Sequence, residues 1–245
     1  MADETYSVGT YWRKRRETAG ECARRAELFF HMLARCDASL GKWYRRGRVA
    51  RGSPGHPVRT DDREHLEELL LQGRVRTDIG KSVMEELGFS LYAWNQRPDA
   101  KATTLQMSCG VYAETVGNVC LMDLPSEGEA AERMLNVSTL VQIMSCMAIA
   151  WDPDWGVAHT NLTMDLIPRS VKGEARVGWM TYLARRRGTV PPLPAPVRIE
   201  PVGSLGMLVI LTPERFTASN PEHIALGRRV YELLDRAGLL KPQPS

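Results

Sequence analysis

The segment from Met134 to Trp151 contains no charged residue, and this limits the possible folds of the chain more than any other sequence feature. Its length approaches that of a helix that crosses a lipid bilayer. Polar residues such as Asn136 and Gln142 interrupt it, however, and Ser126 stands three positions before Glu129, as in the capping box of a water-soluble helix. Because polar side chains are costly in lipid, the segment predicts a helix buried in a protein core, with no membrane partner.

Signals for helix ends predict further helices along the chain. Each combines an N-terminal capping residue or an early acidic residue with apolar residues at helical spacing. One helix is expected to begin at the capping box Thr18…Glu21, and a second to run from Asp61 to a stop at Gly73. A short helix is expected from Asp78 to Leu87, and the last from Asn220 and Pro221 to a stop at Gly238. One more short helix is expected over Trp179–Arg187, before Gly188.

The strands predicted between these helices come mostly in adjacent pairs. They cover Thr5–Trp12, Phe89–Trp94, a hairpin of Leu105–Val111 with Val119–Leu124, and a hairpin of Val197–Val202 with Met207–Leu211. Hairpins give antiparallel neighbours, whereas a doubly wound sheet needs alternating strands and helices. We therefore predict an α+β fold, with a mainly antiparallel sheet built from hairpins and several amphipathic helices packed on it.

The 245 residues are enough to bury a sizeable core, and we expect a single domain over residues 1–245. The stretch 45–60 is rich in Arg, Gly and Pro and is expected to be a mobile loop, and 241–245 a frayed tail. The proline-rich stretch 191–196 is typical of a stiff, extended connector. It could separate two domains, but the tail of about 50 residues behind it is small for an independent unit, which favours a connector entering a strand.

The cysteines and the start of the chain bear on the cellular compartment. The five cysteines are odd in number and form no CxxC pair, which is typical of buried thiols in a reducing compartment. Cys109 and Cys120 flank a predicted hairpin turn and could face each other, so their pairing stays open. No apolar run follows the basic cluster Arg13–Arg16, and no secretory signal is expected. We therefore expect a cytoplasmic protein.

The formal net charge of +3 hides a segregation of charge along the chain. Residues 1–60 carry 13 basic and 6 acidic side chains, residues 61–166 carry 7 and 17, and residues 167–245 carry 12 and 6. Such a layout bears on partners rather than on fold. Within the acidic middle, five acids cluster at a predicted helix start: Asp61, Asp62, Glu64, Glu67 and Glu68. Acids at a helix start complement the helix dipole, and the default interpretation is a solvated helix face. The alternative is a docking surface for a basic partner.

The most distinctive short run is Trp151-Asp152-Pro153-Asp154-Trp155. Its Asp-x-Asp pair has the oxygen ligands that a divalent cation prefers, although such pairs are common. The favoured interpretation is a turn that ends the buried helix, with the tryptophans packed on the core and the carboxylates in water. A third interpretation is an interface anchor made of Trp151 and Trp155, flanked by Asp152 and Asp154.

Basic clusters lie beside aromatic residues near the N-terminus. Arg13–Arg16 follows Tyr11 and Trp12, and Arg45–Arg48 follows Trp43 and Tyr44. Basic residues interleaved with aromatic ones are typical of a nucleic-acid surface, which makes a nucleic-acid-binding module the alternative function. Solubilising charge at helix ends and in a loop explains the same clusters without a ligand.

No motif for catalysis or for a cofactor stands out in the sequence. Gly80-Lys81-Ser82 resembles the end of a phosphate-binding loop, but Val75 occupies the position where that loop needs a glycine. No two histidines lie at metal-ligand spacing, and no serine lies in a Gly-x-Ser-x-Gly turn. We therefore predict no catalytic residue, no cofactor-binding residue and no metal ligand, and a protein that is not an enzyme.

Several runs in order along the chain resemble the immunity protein 52 family of bacterial polymorphic-toxin systems. The runs are Tyr11-Trp12-Arg13, Glu21-Cys22-Ala23, Trp43-Tyr44, Cys109-Gly110-Val111-Tyr112, Gly117-Asn118, Trp151-Asp152-Pro153-Asp154-Trp155-Gly156 and Gly178-Trp179-Met180-Thr181-Tyr182-Leu183. They cover most of the chain, and it is their order rather than any single run that carries the resemblance.

The resemblance implies a cytoplasmic antitoxin that binds and neutralises a cognate toxin, in a setting that includes type VI secretion. It further implies a toxin with a restriction-endonuclease-like nuclease domain, and it implies no particular contact residues. Nucleases are basic where they grip phosphates, so an acidic surface would suit them. We accordingly expect Asp61–Glu68, together with Trp151, Asp152, Asp154 and Trp155, to face the toxin.

Overall fold

The fold is given by a computed structural model that describes residues 3–45, 55–167 and 173–242. Its strands are β1 (Tyr6–Trp12), β2 (Trp43–Arg45), β3 (His56–Val58), β4 (Phe89–Trp94), β5 (Thr104–Cys109), β6 (Asn118–Asp123), β7 (Trp155–Thr160), β8 (Met180–Ala184), β9 (Arg198–Val202) and β10 (Gly206–Ile210). Its α-helices are α1 (Ala19–Leu33), α2 (Arg63–Gln72), α3 (Gly128–Met134), α4 (Val137–Trp151) and α5 (Pro221–Arg236). Single turns of 3₁₀ helix lie at Ala38–Leu40, Glu85–Leu87, Asp99–Lys101 and Arg185–Arg187.

All the described strands join one sheet, in the order β3-β2-β4-β5-β6-β1-β7-β8-β10-β9, and every neighbouring pair is antiparallel. The α+β prediction is therefore confirmed. Strand β1 lies at the centre of the sheet, with Thr10 opposite Cys120 of β6 on one side and opposite Gly156 of β7 on the other. The first strand of the chain is thus held by segments more than a hundred residues away.

One face of the sheet is covered by three of the helices. Helix α1 packs between α2 and α4, and α4 also contacts β1. Helix α1 begins with the predicted capping box, since both reciprocal bonds between Thr18 and Glu21 are present. Hydrogen bonds from Thr18 lower the pKa of the Glu21 carboxyl, and the bond from the Thr18 backbone amide has the largest effect. Phe29 and Phe30 of α1 are buried in the core, as the apolar spacing of this helix predicts.

The buried helix predicted after Ser126 is two helices. Helix α3 ends at Met134, and α4 starts again at Asn136, whose side chain accepts a hydrogen bond from the Thr139 amide at 3.0 Å. The two axes are bent by 73°. Ser126 caps neither helix, because its hydroxyl donates to the Ala100 carbonyl instead. The prediction of a core helix holds for α4, and its predicted start was wrong because Asn136 supplies a stronger local cap.

Among the described residues, no single helix is both long and apolar enough to cross a bilayer. Only α3 and α4 taken together, as a bent pair, have that length and apolar composition.

Two predicted helices are wrong. In Asp78–Leu87 only the single turn Glu85–Leu87 is helical, because Gly80 and Lys81 adopt positive φ angles of 80° and 52° that close a tight turn. Ile79, which a helix would have placed one turn from Val83, is 92% exposed. In Trp179–Arg187 the structure has β8 followed by one 3₁₀ turn. Every residue of β8 is buried, and an apolar run of that kind has no period that separates strand from helix.

Part of the predicted mobile loop 45–60 lies in β-strands at its two ends. Arg45 belongs to β2 and His56–Val58 forms β3, which pairs with it, while residues 46–54 lie outside the described residues. The connector 191–196 leads into β9, which pairs with β10 of the same sheet. Of the predicted tail, Lys241 and Pro242 are described and 243–245 are not.

The five cysteines, all within the described residues, are free thiols. The register of β5 with β6 places Met107, not Cys109, opposite Cys120, so the two cysteines do not face each other. Their pairing, which the sequence left open, is absent in this structure, where both are free and buried. Cys109 instead lies beside Cys22, and its pKa is raised well above the ordinary value by the hydrogen bond with that thiol and by burial.

Candidate docking surface

The acids at the start of α2 divide into structural and free ones. Asp62 is the N-cap: its carboxylate accepts a hydrogen bond from the His65 amide at 2.9 Å and pairs with Arg59 at 3.1 Å. These contacts, led by the bond from His65, lower the pKa of Asp62. Glu67 is half-buried, with its carboxylate close to Gly20 of α1. Two of the five predicted docking acids therefore serve the packing of α2.

The other three acids point to solvent. Asp61, Glu64 and Glu68 are exposed, and within residues 3–45, 55–167 and 173–242 none of them forms an ion pair. Glu64 and Glu68 lie one helical turn apart and share a face of α2. This end of α2 thus presents uncompensated negative charge, as the docking hypothesis requires.

The two tryptophans of the Trp151–Trp155 run have different roles in the structure. Trp151 is fully buried, with its ring stacked on that of Trp12 at a centroid distance of 5.5 Å and an interplanar angle of 18°. Trp155 is half-buried and stacks on Tyr11 at 4.2 Å. The ring of Trp151 is therefore a core contact and is not available to a partner in this conformation, whereas Trp155 has an accessible edge.

The carboxylates of the same run are held by one arginine. Asp154 is only 4% exposed and accepts from the Arg13 amide and from Nε of Arg186, both at 2.8 Å. Asp152 is partly exposed and accepts from Nη1 of Arg186 at 2.8 Å. Burial alone would lower the pKa of Arg186, but the two carboxylates reverse this and raise it. The Asp-x-Asp pair thus clamps a guanidinium, and among the described residues no group of three or more His, Cys, Asp or Glu is arranged to hold a metal ion.

The C-terminal end of α4 is tied to the N-terminal segment by arginines. Asp152 ends the helix in the left-handed conformation, with φ 45° and ψ 59°. Arg25 donates to the Ala150 carbonyl at 2.9 Å and Arg15 to the Trp151 carbonyl at 2.8 Å. Glu17 bridges these two arginines at 2.6 Å and 2.9 Å. Cations at a helix C-terminus stabilise its free carbonyls, and no local sequence signal announces this long-range cap.

A groove of about 1000 Å³ lies between α1, the β2–β3 hairpin and the end of α4. Five basic and two acidic side chains line it: Arg24, Arg25, Lys42, Arg59 and Arg63, and Glu27 and Asp61. Apolar side chains from each wall also line it, namely Leu28 of α1, Val58 of β3 and Ile149 of α4. The groove brings the predicted acid Asp61 to the same concave surface as the helix turn that precedes Trp151. No sequence signal indicated this groove.

The basic–aromatic clusters do not form an open stacking platform in the structure. The rings of Trp12 and Trp43 are buried, and the ring of Tyr11 is covered by Trp155. The guanidinium of Arg16 lies over the Tyr112 ring at 5.0 Å. Arg46 and Arg48 lie outside the described residues. Three of the four aromatic residues of the nucleic-acid hypothesis are therefore used in packing, whereas Tyr44 is half-buried and lines the groove.

Comparison with known proteins finds one family. The family profile described as Immunity protein 52 matches residues 4–243, nearly the whole chain. No curated protein matches the chain. Among solved structures, the Pseudomonas aeruginosa T6SS protein PA0821 is similar, with a TM-score of 0.56 and 14% sequence identity over 94% of this chain and 72% of that one. At this identity the likeness establishes a common fold.

Proposed function

The chain belongs to the immunity protein 52 family, and from that premise we propose that it binds a cognate polymorphic toxin and neutralises it as a protein inhibitor, without catalysis. The family match over residues 4–243 is the observation that carries the proposal. An inhibitor needs a stable scaffold and a complementary surface. The single antiparallel sheet with its helical cover supplies the first, and the outer end of α2 with the adjoining groove is our candidate for the second.

The proposed contact residues are the exposed members of the predicted set. Asp61, Glu64 and Glu68 offer uncompensated negative charge at α2, and Asp152 is partly accessible after the end of α4. Trp155 is partly accessible on the opposite face of the sheet, because its ring stacks on Tyr11, whereas Trp12, the next residue of β1, packs on Trp151 of α4. In this proposal Asp62, Glu67, Trp151 and Asp154 act indirectly, because their contacts hold α2 and the α4–β7 turn in shape. Complementary charge would steer the toxin to this surface and speed association.

We propose further that the toxin is a nuclease with a restriction-endonuclease-like fold. A nuclease is basic where it binds phosphates, and the free acids of α2 suit such a surface. A type VI secretion setting and action in the cytoplasm of the producing cell complete the proposal. The name of the P. aeruginosa structural neighbour, a T6SS protein, fits the former, and the free cysteines fit the latter.

Co-expression with candidate toxin domains encoded in the genomic neighbourhood of this chain tests the proposal. Expression of the C-terminal toxin domain should stop growth, and co-expression of this chain should restore it. The purified pair should form a saturable complex by calorimetry, and the toxin's cleavage of plasmid DNA should fall as the complex forms. Absence of both rescue and complex would overturn the inhibitor function, whereas rescue from a toxin that cleaves no nucleic acid would overturn only its nuclease nature. Saturable, steeply salt-dependent binding of DNA or RNA by this chain alone would favour the nucleic-acid alternative.

A further inference from the structure

We propose that the groove between α1, the β2–β3 hairpin and the end of α4 receives an acidic segment of the toxin that carries an apolar side chain. This inference rests on the proposed function and specifies its partner. It differs from the acid-face hypothesis in sign, because the groove attracts negative charge whereas the outer face of α2 repels it. The supporting observations are the charge balance of the groove, the pairing state of its cations and its exposed apolar side chains.

The charge of the groove is not neutralised from within the fold. Three of its five cations are paired with carboxylates: Arg25 with Glu17 at 2.6 Å, Arg59 with Asp62 at 3.1 Å and Arg63 with Glu27 at 2.6 Å. Arg24 and Lys42 are exposed, and the described residues provide an ion-pair partner for neither. Arg24 projects from α1, and Lys42 precedes β2. A ligand in the groove therefore meets free positive charge from two of its walls.

The same groove exposes large apolar side chains. Leu28 of α1 is 43% exposed and Ile149 of α4 is 46% exposed, although the rest of α4 is largely buried. On the hairpin side Tyr44 is half-buried and Val58 is buried. Covering an exposed aliphatic side chain is favourable by about 25 cal/mol per Å² of apolar area removed from water. An occupant with an apolar anchor beside its acids would satisfy both the cations and the aliphatic side chains.

A protein segment suits this surface better than a nucleic acid does. A phosphate backbone is bound by free arginines and lysines along a track. Here Arg25, Arg59 and Arg63 already have carboxylate partners, which leaves only two free cations among the described residues of the groove. The exposed Leu28 and Ile149 offer apolar contacts that a phosphate backbone does not use. With Asp61 and Glu64 beside the cationic groove, the surface alternates in sign, and alternation of this kind fixes the register of a protein partner.

The test is a charge reversal of the two free cations, Arg24→Glu with Lys42→Glu, measured by calorimetry against the purified toxin domain that this chain neutralises in the co-expression test. The Kd should rise by about tenfold or more at low salt, and the difference should shrink at high salt. Arg198→Glu is the matched control, because β9 is the sheet edge opposite β3 and its variant should bind as the unaltered chain does. Leu28→Ser in the groove should weaken binding with little dependence on salt. This single variant tests the groove independently of whether the double variant folds.

The outcomes separate the two proposals. If the unaltered chain binds the toxin, and the groove variants bind equally well, the groove proposal is overturned and the inhibitor function stands. If the unaltered chain fails to bind, both are overturned. Displacement of the toxin by a short DNA duplex that also loses affinity in the double variant would show a phosphate ligand, and would likewise overturn the groove proposal.

A separate observation supports a second inference: we infer that Cys36 and Cys146 are a dithiol that a hydroperoxide converts to a disulfide. Their sulfur atoms lie 3.6 Å apart, although the residues are 110 positions apart in the chain. Cys36 follows α1 and is half-buried, so an oxidant can reach it, whereas Cys146 is buried in α4. A disulfide needs about 2.05 Å between the sulfurs, which is a small approach from this distance.

The chemistry balances with the peroxide as the only oxidant. The Cys36 thiolate attacks the terminal peroxide oxygen, the O–O bond breaks, and the products are a Cys36 sulfenic acid and an alcohol. The Cys146 thiol then attacks the Cys36 sulfur, the S–S bond forms and water leaves. The hydrogen bond from Cys146 favours the thiolate by lowering the pKa of Cys36. Cys22, Cys109 and Cys120 are fully buried and are expected to stay reduced.

Non-reducing peptide mapping of the full chain after treatment with cumene hydroperoxide tests this inference. A peptide pair joined through Cys36 and Cys146, reversed by dithiothreitol and absent in Cys36→Ser, is expected. In Cys146→Ser the sulfenic acid on Cys36 should persist and react with dimedone. A different cysteine pair, direct over-oxidation of Cys36 without the link, or no oxidation at all would each overturn the inference.

Discussion

Nε of Arg186 lies 2.8 Å from Oδ1 of Asp154, and this ion pair fastens the turn after β8 to the turn between α4 and β7. The carboxylate is almost fully buried and also accepts the Arg13 amide, so three separate segments meet at one side chain. The acids of the most distinctive sequence run are therefore part of the scaffold. Asp154 is buried and Asp152 is partly exposed, so the two acids contribute unequally to the free energy of unfolding.

Asp154→Ala should lower the free energy of unfolding by about 2 kcal/mol, because it strands a buried amide and removes the charge that compensates Arg186. Asp152→Asn is the matched variant: it removes the partly exposed half of the same clamp, and Asn tolerates the left-handed backbone at this position. It should cost no more than about 1 kcal/mol. Urea unfolding at neutral pH measures both values, and equal losses would show that burial does not decide the strength of this clamp.

Asp37 should make stability depend on pH in acid. Burial raises the pKa of its carboxyl, but hydrogen bonds from Arg133 and Ser39 outweigh this and lower the pKa to about 2, from an ordinary 3.8. Because the folded value is the lower one, the stabilisation is complete above pH 3.8 and is lost as the pH falls toward 2.

Comparison of the unaltered chain with Asp37→Asn measures this effect by urea unfolding between pH 6 and 2. The variant should be less stable by about 1 kcal/mol at pH 6, after allowance for solvent screening at the half-exposed Arg133, and the gap should close in acid. Asp61→Asn, at an exposed acid without an ion pair among the described residues, is the control and should leave the curve unchanged. A gap that widens toward pH 2 would contradict the assignment.

Alanine substitutions at two glycines should show how much backbone strain costs alone and how much a steric clash adds. Gly88 and Gly203 both have positive φ angles, 61° and 52°. A Cβ atom at Gly88 would clash with the carbonyl oxygen of Cys109, whereas one at Gly203 would meet nothing within 4 Å. Gly203→Ala should therefore cost about 1 kcal/mol from the backbone alone, and Gly88→Ala about 3 kcal/mol or more. Thermal and urea unfolding of both variants measure the difference, and similar losses would refute the clash.

The free acids of α2 give the last prediction. Reversal of Asp61, Glu64 and Glu68 to lysine should weaken toxin binding by about tenfold or more at low salt and much less at high salt, because these charges act on association through solvent. Glu64→Lys alone should already weaken binding, and Glu200→Lys on β9, at the far edge of the sheet, is its charge-matched control. Circular dichroism should show that each variant is folded. Unchanged affinity at both salt concentrations would remove these acids from the interface.

Predictions from the sequence were correct where the interactions are local along the chain, and wrong where the structure depends on distant residues. The caps at Thr18 and Asn220 were predicted correctly because each joins a side chain to an amide two or three residues away. Strand β4 was predicted with its observed limits. Strand β8 was predicted as a helix because its apolar run has no distinguishing period, and only its pairing with β7 and β10 makes it a strand.

The site shows the same division. The acids of α2 could be named from sequence, but which of them are free could not, since Arg59 and the His65 amide bind Asp62 while Glu64 has no described partner. The groove was not predictable at all. Its walls come from α1, the β2–β3 hairpin and the end of α4, and no local pattern relates Leu28 to Ile149.

By itself, the sequence determined the α+β class, the caps of α1 and α5, the buried character of α4 and the family, because these depend on contacts within a few residues and on the order of short motifs. Only the tertiary structure decided which charges remain available. A carboxylate or guanidinium is free or neutralised according to the partners that the fold brings to it, and those partners, as Arg186 is to Asp154, stand far away in the chain.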